Sequence, residues 1–286
     1  MQSFSLGING KITRYERPVV MGILNITPDS FYSGSRCRDT SRLQETARKM
    51  IAEGADIIDI GGYSTRPGAC DVDTDEEIRR VATGIKAVRD ISQEIPVSVD
   101  TFRADVANAD ILDHGADIIN DISGGDLDNN MVDTVARLKV PYIVMHTRGT
   151  AADMQSYTDY SAQGGVTAEV ISRLAEKIDC LSQKGVTDII ADPGFGFAKT
   201  VSQNFELLAN LQLINDTLLR PILVGVSRKS MIYKTLGITP DESLNGTTAI
   251  NTMALERGAA ILRVHDVAEA RQAADLWLET NRYNKD

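Results

Sequence analysis

Eight short apolar runs in this chain end in residues that can do chemistry, and their types narrow what the chain can bind. At these ends stand Asn25, Asp59, Asp100, Asn120 with Asp121, His146, Asp192, Ser227 to Lys229, and Arg263 with His265. The carboxylates and amide of Asp100, Asn120 and Asp192 suit a flat heterocycle that offers N–H donors along one edge, whereas Lys229, Arg263 and His265 suit phosphate. A ligand that joins a heterocycle to a phosphate meets both demands. The set is poor in thiol and histidine ligands, which argues against zinc. Asn25 offers one oxygen, and magnesium takes one or two protein ligands while keeping water and substrate phosphate. Singly, each polar residue has an ordinary use in capping a helix or tying down a loop. As a set they do not, because burying so many polar groups at one end is costly unless they pair with one another or with a ligand.

The elements that must position these residues are the apolar, β-branched runs themselves. They are VVMGILN (19–25), DIIDI (56–60), PVSVD (96–100), DIIND (117–121), YIVMH (142–146), DIIAD (188–192), PILVGV (221–226) and AAILRVH (259–265). Between them lie amphipathic stretches such as TSRLQETARKMIAEG, where Leu43, Ala47, Met50 and Ile51 recur at helical spacing and Gly54 can stop the helix. TAEVISRLAEKIDCLSQKG and NGTTAINTMALERG repeat the pattern. There is an internal echo, GADIIDIGG at 54–62 and GADIINDISGG at 115–125, with weaker versions in GVTDIIADPG and GAAILRVHD. Repeated βα units predict a parallel sheet. A doubly wound open sheet alternates in the same way, but eight units in 286 residues favour a closed (β/α)8 TIM barrel, whose strand ends converge on one mouth. No GxGxxG follows a first strand and no GxxxxGK[ST] loop is present, so the common nucleotide folds lose their main support. The expected organisation is one domain over 1–286, with a short N-terminal extension (about 1–17) and a closing C-terminal helix in DVAEARQAADLWLETNRYN.

Composition sets outer bounds. A hydrophobic fraction of 42% with 24% charged residues is that of a packed globular domain. A formal net charge of −10 argues against nucleic acid and anionic membranes as partners, so an anionic substrate must be held by local cations. No apolar stretch approaches the roughly 20 residues of a membrane helix, and the N-terminus lacks the plan of a secretion signal, so a cytoplasmic enzyme is expected. Cys37, Cys70 and Cys180 show no CxxC spacing and read as free thiols in a reducing compartment. His114 fits the last-turn preference for cations, and Trp277 reads as a packing anchor.

The strand-end residues sit inside longer strings. MGILNITPDSF, GGYSTRPGA, SVDTFRADVA, NDISG, MHTRGT, DPGFGFAKT, GVSRKSMI, and GTTAINTMAL followed by ILRVHDV resemble, in order from residue 21 to residue 267, the signature blocks of the dihydropteroate synthases, of the pterin-binding enzyme family. The resemblance implies an α/β barrel and a transferase of folate biosynthesis. Such enzymes displace pyrophosphate from 6-hydroxymethyl-7,8-dihydropterin diphosphate with the amine of p-aminobenzoate and are sulfonamide targets. Carried over by position, Asp100, Asn120 and Asp192 resemble the groups on the pterin ring edge, with Lys229 reaching its carbonyl oxygen. Gly196 and Phe197 resemble the backbone and wall of the pterin slot, and Ile122 and Met145 its apolar sides. Asn25, Thr65, Arg66, Arg263 and His265 resemble the diphosphate site, with Asn25 also touching Mg2+. Phe31, Pro67 and Ser230 resemble contacts to p-aminobenzoate. Asp100, Lys229, Arg66 and Asp192 are the implied catalytic set, and a homodimer the implied assembly.

Two departures lie in the loops TPDSFYSGSRCRDTS and GGYSTRPGACDVDT, whose glycine, serine and proline content suits lids. Tyr63 stands where the family usually has glutamate, and FYSGSRC replaces the usual aspartate and paired glycines. Two other readings stay open at this level. A methyltetrahydrofolate:corrinoid methyltransferase would share the slot at Asp100, Asn120 and Asp192 but has no use for STRPG, SRKS and RVH. A pterin-binding paralogue with impaired lids would bind without turnover.

Overall fold

The expected N-terminal extension is a β-hairpin. Strands β1 (Phe4–Ile8) and β2 (Lys11–Tyr15) pair antiparallel with Ile8 opposite Lys11. Asn9 and Gly10 connect them with φ of 51° and 70°, the left-handed pair that a two-residue hairpin turn requires. In this computed structural model residues 3–26, 36–63 and 72–283 are described, with 36–39 by backbone alone. Phe31, Thr65, Arg66, Pro67 and the side chain of Cys37, with Cys70, therefore lie outside the described residues.

The eight apolar runs are eight parallel strands, β3 (Val19–Asn25), β4 (Ile57–Gly61), β5 (Val97–Asp100), β6 (Ile118–Asp121), β7 (Tyr142–Met145), β8 (Ile189–Asp192), β9 (Ile222–Val224) and β10 (Ala259–Val264). Each pairs with the next, and β10 pairs with both β9 and β3, so the sheet closes into a barrel. Around it lie α1 (Arg36–Ala52), α2 (Thr74–Arg89), α3 (Ala104–Leu112), α4 (Met131–Leu138), α5 (Val166–Gln183), α6 (Val201–Ala209), α7 (Leu211–Leu218), α8 (Ser230–Leu236), α9 (Leu244–Glu256) and α10 (Val267–Asn281). Two helices follow β8 and two follow β9. Among the described residues no helix is long and apolar enough to cross a membrane.

Strand alternation sorts the core into two layers. Residues such as Ile58, Ile60, Val97, Val99, Ile119 and Val144 face outward and pack against the helices. Their neighbours Met21, Ile57, Ile118, Ile143, Ile190 and Ile261 fill the barrel interior, where Leu6 and Ile8 of the hairpin join them. The hairpin thus plugs the lower, N-terminal end. The repeated GADII string has its reason there too. Asp56 accepts the Val20 N–H at 2.9 Å, Asp117 that of Val97 at 2.8 Å, and Asp188 that of Gly7 in the hairpin at 2.6 Å. Each aspartate satisfies a donor that the ladder leaves free at the foot of the barrel. Charge at this face serves stability, and charge at the opposite face is available for substrate.

One buried carboxyl has no such partner. Asp110 of α3 is fully buried, both its oxygens lack a hydrogen bond, and burial next to Glu77 pushes it up to about 8 from 3.8. The native state therefore holds a proton that the unfolded chain has released above pH 4, and this drains stability as pH rises from about 4 to about 8. Asp110→Asn removes the dependence. Urea unfolding is expected to show the variant gaining about 2–4 kcal/mol on wild type between pH 5 and pH 8. An equal difference at both pH values would contradict this.

Candidate active site at the barrel mouth

One step above the apolar interior, the same strand faces turn polar. Ile57, Ile118 and Ile261 lead two residues on to Asp59, Asn120 and Arg263, and Ser98 and Ile190 to Asp100 and Asp192, while β3 stays apolar through Ile23 and turns polar at Asn25. Arg263 organises this layer. Its Nε donates to Asp59 Oδ2 and its Nη2 to Asp100 Oδ2, both at 2.6 Å, and Asn120 Nδ2 donates to the same Asp59 oxygen at 3.2 Å. Asp59 is fully buried, and its other oxygen has no partner. Burial pushes the Asp100 carboxyl up while Arg263 pulls it down, and the two carboxylates hold the guanidinium charged.

The second half of the mouth is the DPGFGF loop after β8. Asp192 Oδ1 accepts the Gly194 N–H at 2.7 Å, and burial pushes this carboxyl up against the pull of Lys229. Gly194 has φ of 73°, and a Cβ there would lie 1.9 Å from the His146 carbonyl oxygen, so no other residue fits. Gly196 N–H donates to the buried Asn204 Oδ1 at 2.6 Å. Lys229 reaches across from the residue before α8, donates to the Phe195 carbonyl, and sets its ammonium 4.7 Å from the Phe197 ring centroid. Burial lowers Lys229 to about 8, with Asp192 the strongest opposing influence. Its neighbour Arg228 has φ of 55° and turns away to pair with Asp266 at 2.6 Å. That divergence is how the SRKS string aims one cation inward and one outward.

The remaining residues divide by face. Met145 is buried at the end of β7, Ile122 is half-buried after β6, and Asn25 ends β3 exposed, with its Oδ1 close above Gly61. His265 Nδ1 is 3.0 Å from Ser227 Oγ, which also accepts the His265 N–H at 3.2 Å. Ser230 opens α8 beside Lys229. Two members of the strand-end set are not at the mouth. Asp121 follows Asn120 and so points to the opposite face, where it accepts from Tyr142 Oη at 2.6 Å, from Ser123 and from Gly125. His146 follows Met145 outward and is buried against Lys199. Conversely, Asp59 was in the strand-end set without a role, and its bonds to Arg263 and Asn120 make it the residue that positions both. Its spacing two residues after Ile57 was the available signal.

Tyr63, at the root of the second lid loop, packs edge-on to Phe102 with ring centroids 5.3 Å apart. The Arg103 guanidinium lies 5.3 Å from the Tyr63 ring and 5.2 Å from the Phe102 ring, and is tied to buried Glu77 at 2.5 Å. The departure from glutamate thus exchanges a carboxylate near Arg103 for a ring face that the same cation can stack on.

A closed parallel barrel with convergent carboxylates, an amide and two cations at its C-terminal mouth defines a small-molecule enzyme of the TIM-barrel class. The sequence matches the family described as pterin binding enzyme over residues 21–265, and the chain belongs to that family. It is 42% identical over 264 residues to the dihydropteroate synthase of Clostridium beijerinckii, covering 91% of this chain and 93% of that one. It is 43% identical over 272 residues to a probable bifunctional folylpolyglutamate synthase/dihydropteroate synthase of Haloferax volcanii, and that match spans 31% of the longer protein. A crystal structure of Xanthomonas albilineans dihydropteroate synthase with 4-aminobenzoic acid superposes with a TM-score of 0.88 at 38% identity, covering 98% of this chain and 99% of that one. Within the family, its place is with the dihydropteroate synthases, transferases of folate biosynthesis.

Proposed function

We propose that this mouth condenses 6-hydroxymethyl-7,8-dihydropterin diphosphate with p-aminobenzoate, and that the residues named above divide the work as follows. Asp100, Asn120 and Asp192 receive the pterin ring edge, and Lys229 donates to its carbonyl oxygen. Met145, Ile122, Gly196 and Phe197 form the slot. The observation that carries this reading is the Asp59–Arg263–Asp100 arrangement beside Asn120, in which protein–protein bonds alone fix acceptors and a cation in one layer. Preorganised charge of this kind is what the reaction needs. The methylene carbon–oxygen bond breaks with its electron pair leaving on the diphosphate, and the positive charge spreads over the ring that Asp100 and Asp192 face. The aryl amine then forms the carbon–nitrogen bond with its lone pair, and one of its two protons passes to water or to the departing pyrophosphate. No covalent enzyme intermediate is required.

Arg263, His265, Asn25, Thr65 and Arg66 are the proposed diphosphate site, and Phe31, Pro67 and Ser230 the proposed p-aminobenzoate contacts. Among the described residues no three His, Cys, Asp or Glu side chains converge as a metal cage, and the exposed oxygen of Asn25 suits an ion held chiefly by water and diphosphate. Mg2+ bound there would neutralise charge on the leaving group. The proposed setting is the cytoplasm. The proposed assembly is a homodimer, supported by apolar surface at Leu213, Leu219, Met253 and Leu276.

The test is pyrophosphate release by the purified chain with magnesium and the pterin diphosphate, with and without p-aminobenzoate. Release that depends on p-aminobenzoate, with dihydropteroate as product, is expected. Binding of the pterin diphosphate without release would make this chain the lid-impaired paralogue, with Tyr63 and the FYSGSRC loop as the cause.

A further inference from the structure

The DPGFGF loop is built around a buried cation that none of the proposed substrate contacts uses. Lys199 is 3% exposed, and among the described residues its close partners are a ring nitrogen and carbonyl oxygens, with no carboxylate at ion-pair distance. Its Nζ is 2.9 Å from His146 Nδ1, 3.0 Å from the Gly194 carbonyl oxygen and 3.0 Å from that of Phe197, with the His146 carbonyl oxygen farther away at 3.4 Å. An ammonium has three N–H donors, and three short acceptors are present. Burial, followed by the repulsion of Lys199 and Arg148, pushes His146 down to about 2, so its imidazole stays neutral and Nδ1 is free to accept. The proton then sits on Nε2, which is buried without a partner.

These acceptors bracket the segment that the pterin reading needs. Gly194 and Phe197 flank Phe195, whose carbonyl receives Lys229, and Gly196, against whose Cα the Lys229 stem packs. The Gly194 and Phe197 carbonyls turn towards one buried point and need a donor there, and burying a lone ammonium is itself costly unless acceptors surround it. The loop and the lysine therefore need each other. We propose that Lys199 is the positioning residue of the pterin slot: its ammonium holds the Gly194 and Phe197 carbonyls against the neutral His146 ring, so that the 193–198 turn stands preformed and presents the Phe195 carbonyl to Lys229. The proposal rests on the reading of this mouth as the pterin site. Asn204 supports the same turn from the other side through the Gly196 N–H.

The experiment compares wild type with Lys199→Met, which keeps the length of the stem and removes the donors. Burial lowers Lys199 to about 7, so measurements are made at about pH 6, where the ammonium is charged. In the unliganded variant, amide hydrogen exchange at 194–198 is expected to accelerate about tenfold or more, while barrel-strand amides keep their protection. The dissociation constant for pterin diphosphate is expected to rise about tenfold or more, with the KM for p-aminobenzoate within about twofold of wild type. Lys199→Gln, which keeps N–H donors on a shorter stem, should fall between the two, and it carries the test if the methionine variant does not fold. Unchanged exchange at 194–198 in a folded variant would overturn the proposal. Failure of the wild-type chain to bind pterin diphosphate would instead overturn the reading of the mouth, and the exchange result would still stand.

Discussion

Arg263→Met is expected to abolish turnover and to cost about 3–5 kcal/mol of stability, the usual consequence of removing one partner from a buried ion pair. Both losses come from the same two bonds. Arg263 is the cation that Asp59 and Asp100 share, and Asp59 is wholly inside the barrel. Without the guanidinium, Asp59 and Asp100 lose the donor they share, and Asp59 keeps only the 3.2 Å bond from Asn120. The cost should depend on pH with a definite sign. Carboxylates forced towards protonation in the native state bind protons that the unfolded chain has released, so stability falls as pH rises above about 4. The variant should therefore be closer to wild type at pH 5 than at pH 8 by urea unfolding. Adding Asp59→Asn should recover part of the stability and none of the turnover, since the diphosphate would still lack its cation. A singly substituted Arg263→Met chain as stable as wild type at pH 8 would show that the pair does not hold the mouth together.

Much of this architecture was legible in the sequence because strand and helix periods differ, and the eight apolar runs lie within a residue or two of strands β3 to β10. The closed barrel followed from their number. Facing was harder. Asn120 and Asp121 are adjacent, as are Met145 and His146, and a list of strand-end residues cannot say which of each pair looks inward until the register is fixed. Alternation from the apolar interior would have decided it, since Ile118 and Ile143 lead two residues on to Asn120 and Met145. The hairpin is harder to read although Asn9–Gly10 is its usual turn: FSLGI alternates over only five residues, and KITRY, with Ile12 and Tyr15, does not alternate at all. Lys199 and Asp110 were invisible for a different reason. Their significance lies in what surrounds them, three acceptors for one and none for the other, and neither environment is written near them in the chain. The reverse holds for Phe31, Thr65, Arg66 and Pro67, which the strings name plainly and which lie outside the described residues.

Lys229→Ala should separate binding from folding. Outside the ligand this side chain donates to the Phe195 carbonyl, lies against Gly196 and the Phe197 ring, and opposes the charge of Asp192, so its loss is felt at the mouth while the hydrogen-bond ladder of the barrel strands is kept. On the proposed reading of the site the pterin loses a charge-assisted donor to its carbonyl oxygen. A loss of about 3 kcal/mol follows from the usual range for hydrogen bonds to charged groups, which is roughly a hundredfold in affinity for pterin diphosphate. Wild type carries a second signature of the same contact. Because burial lowers Lys229 to about 8, its ammonium begins to lose its proton as pH passes that value, and affinity should weaken between about pH 7.5 and pH 9. In Lys229→Ala that slope should vanish, while unfolding by heat or urea stays near wild type. Lys229→Met restores the apolar stem over Gly196 without the charge, so recovery of affinity in that variant would mean that packing, and not the ammonium, holds the pterin. Unchanged affinity in Lys229→Ala would remove Lys229 from the site altogether and leave Asp192 facing a buried ring with no cation to balance it.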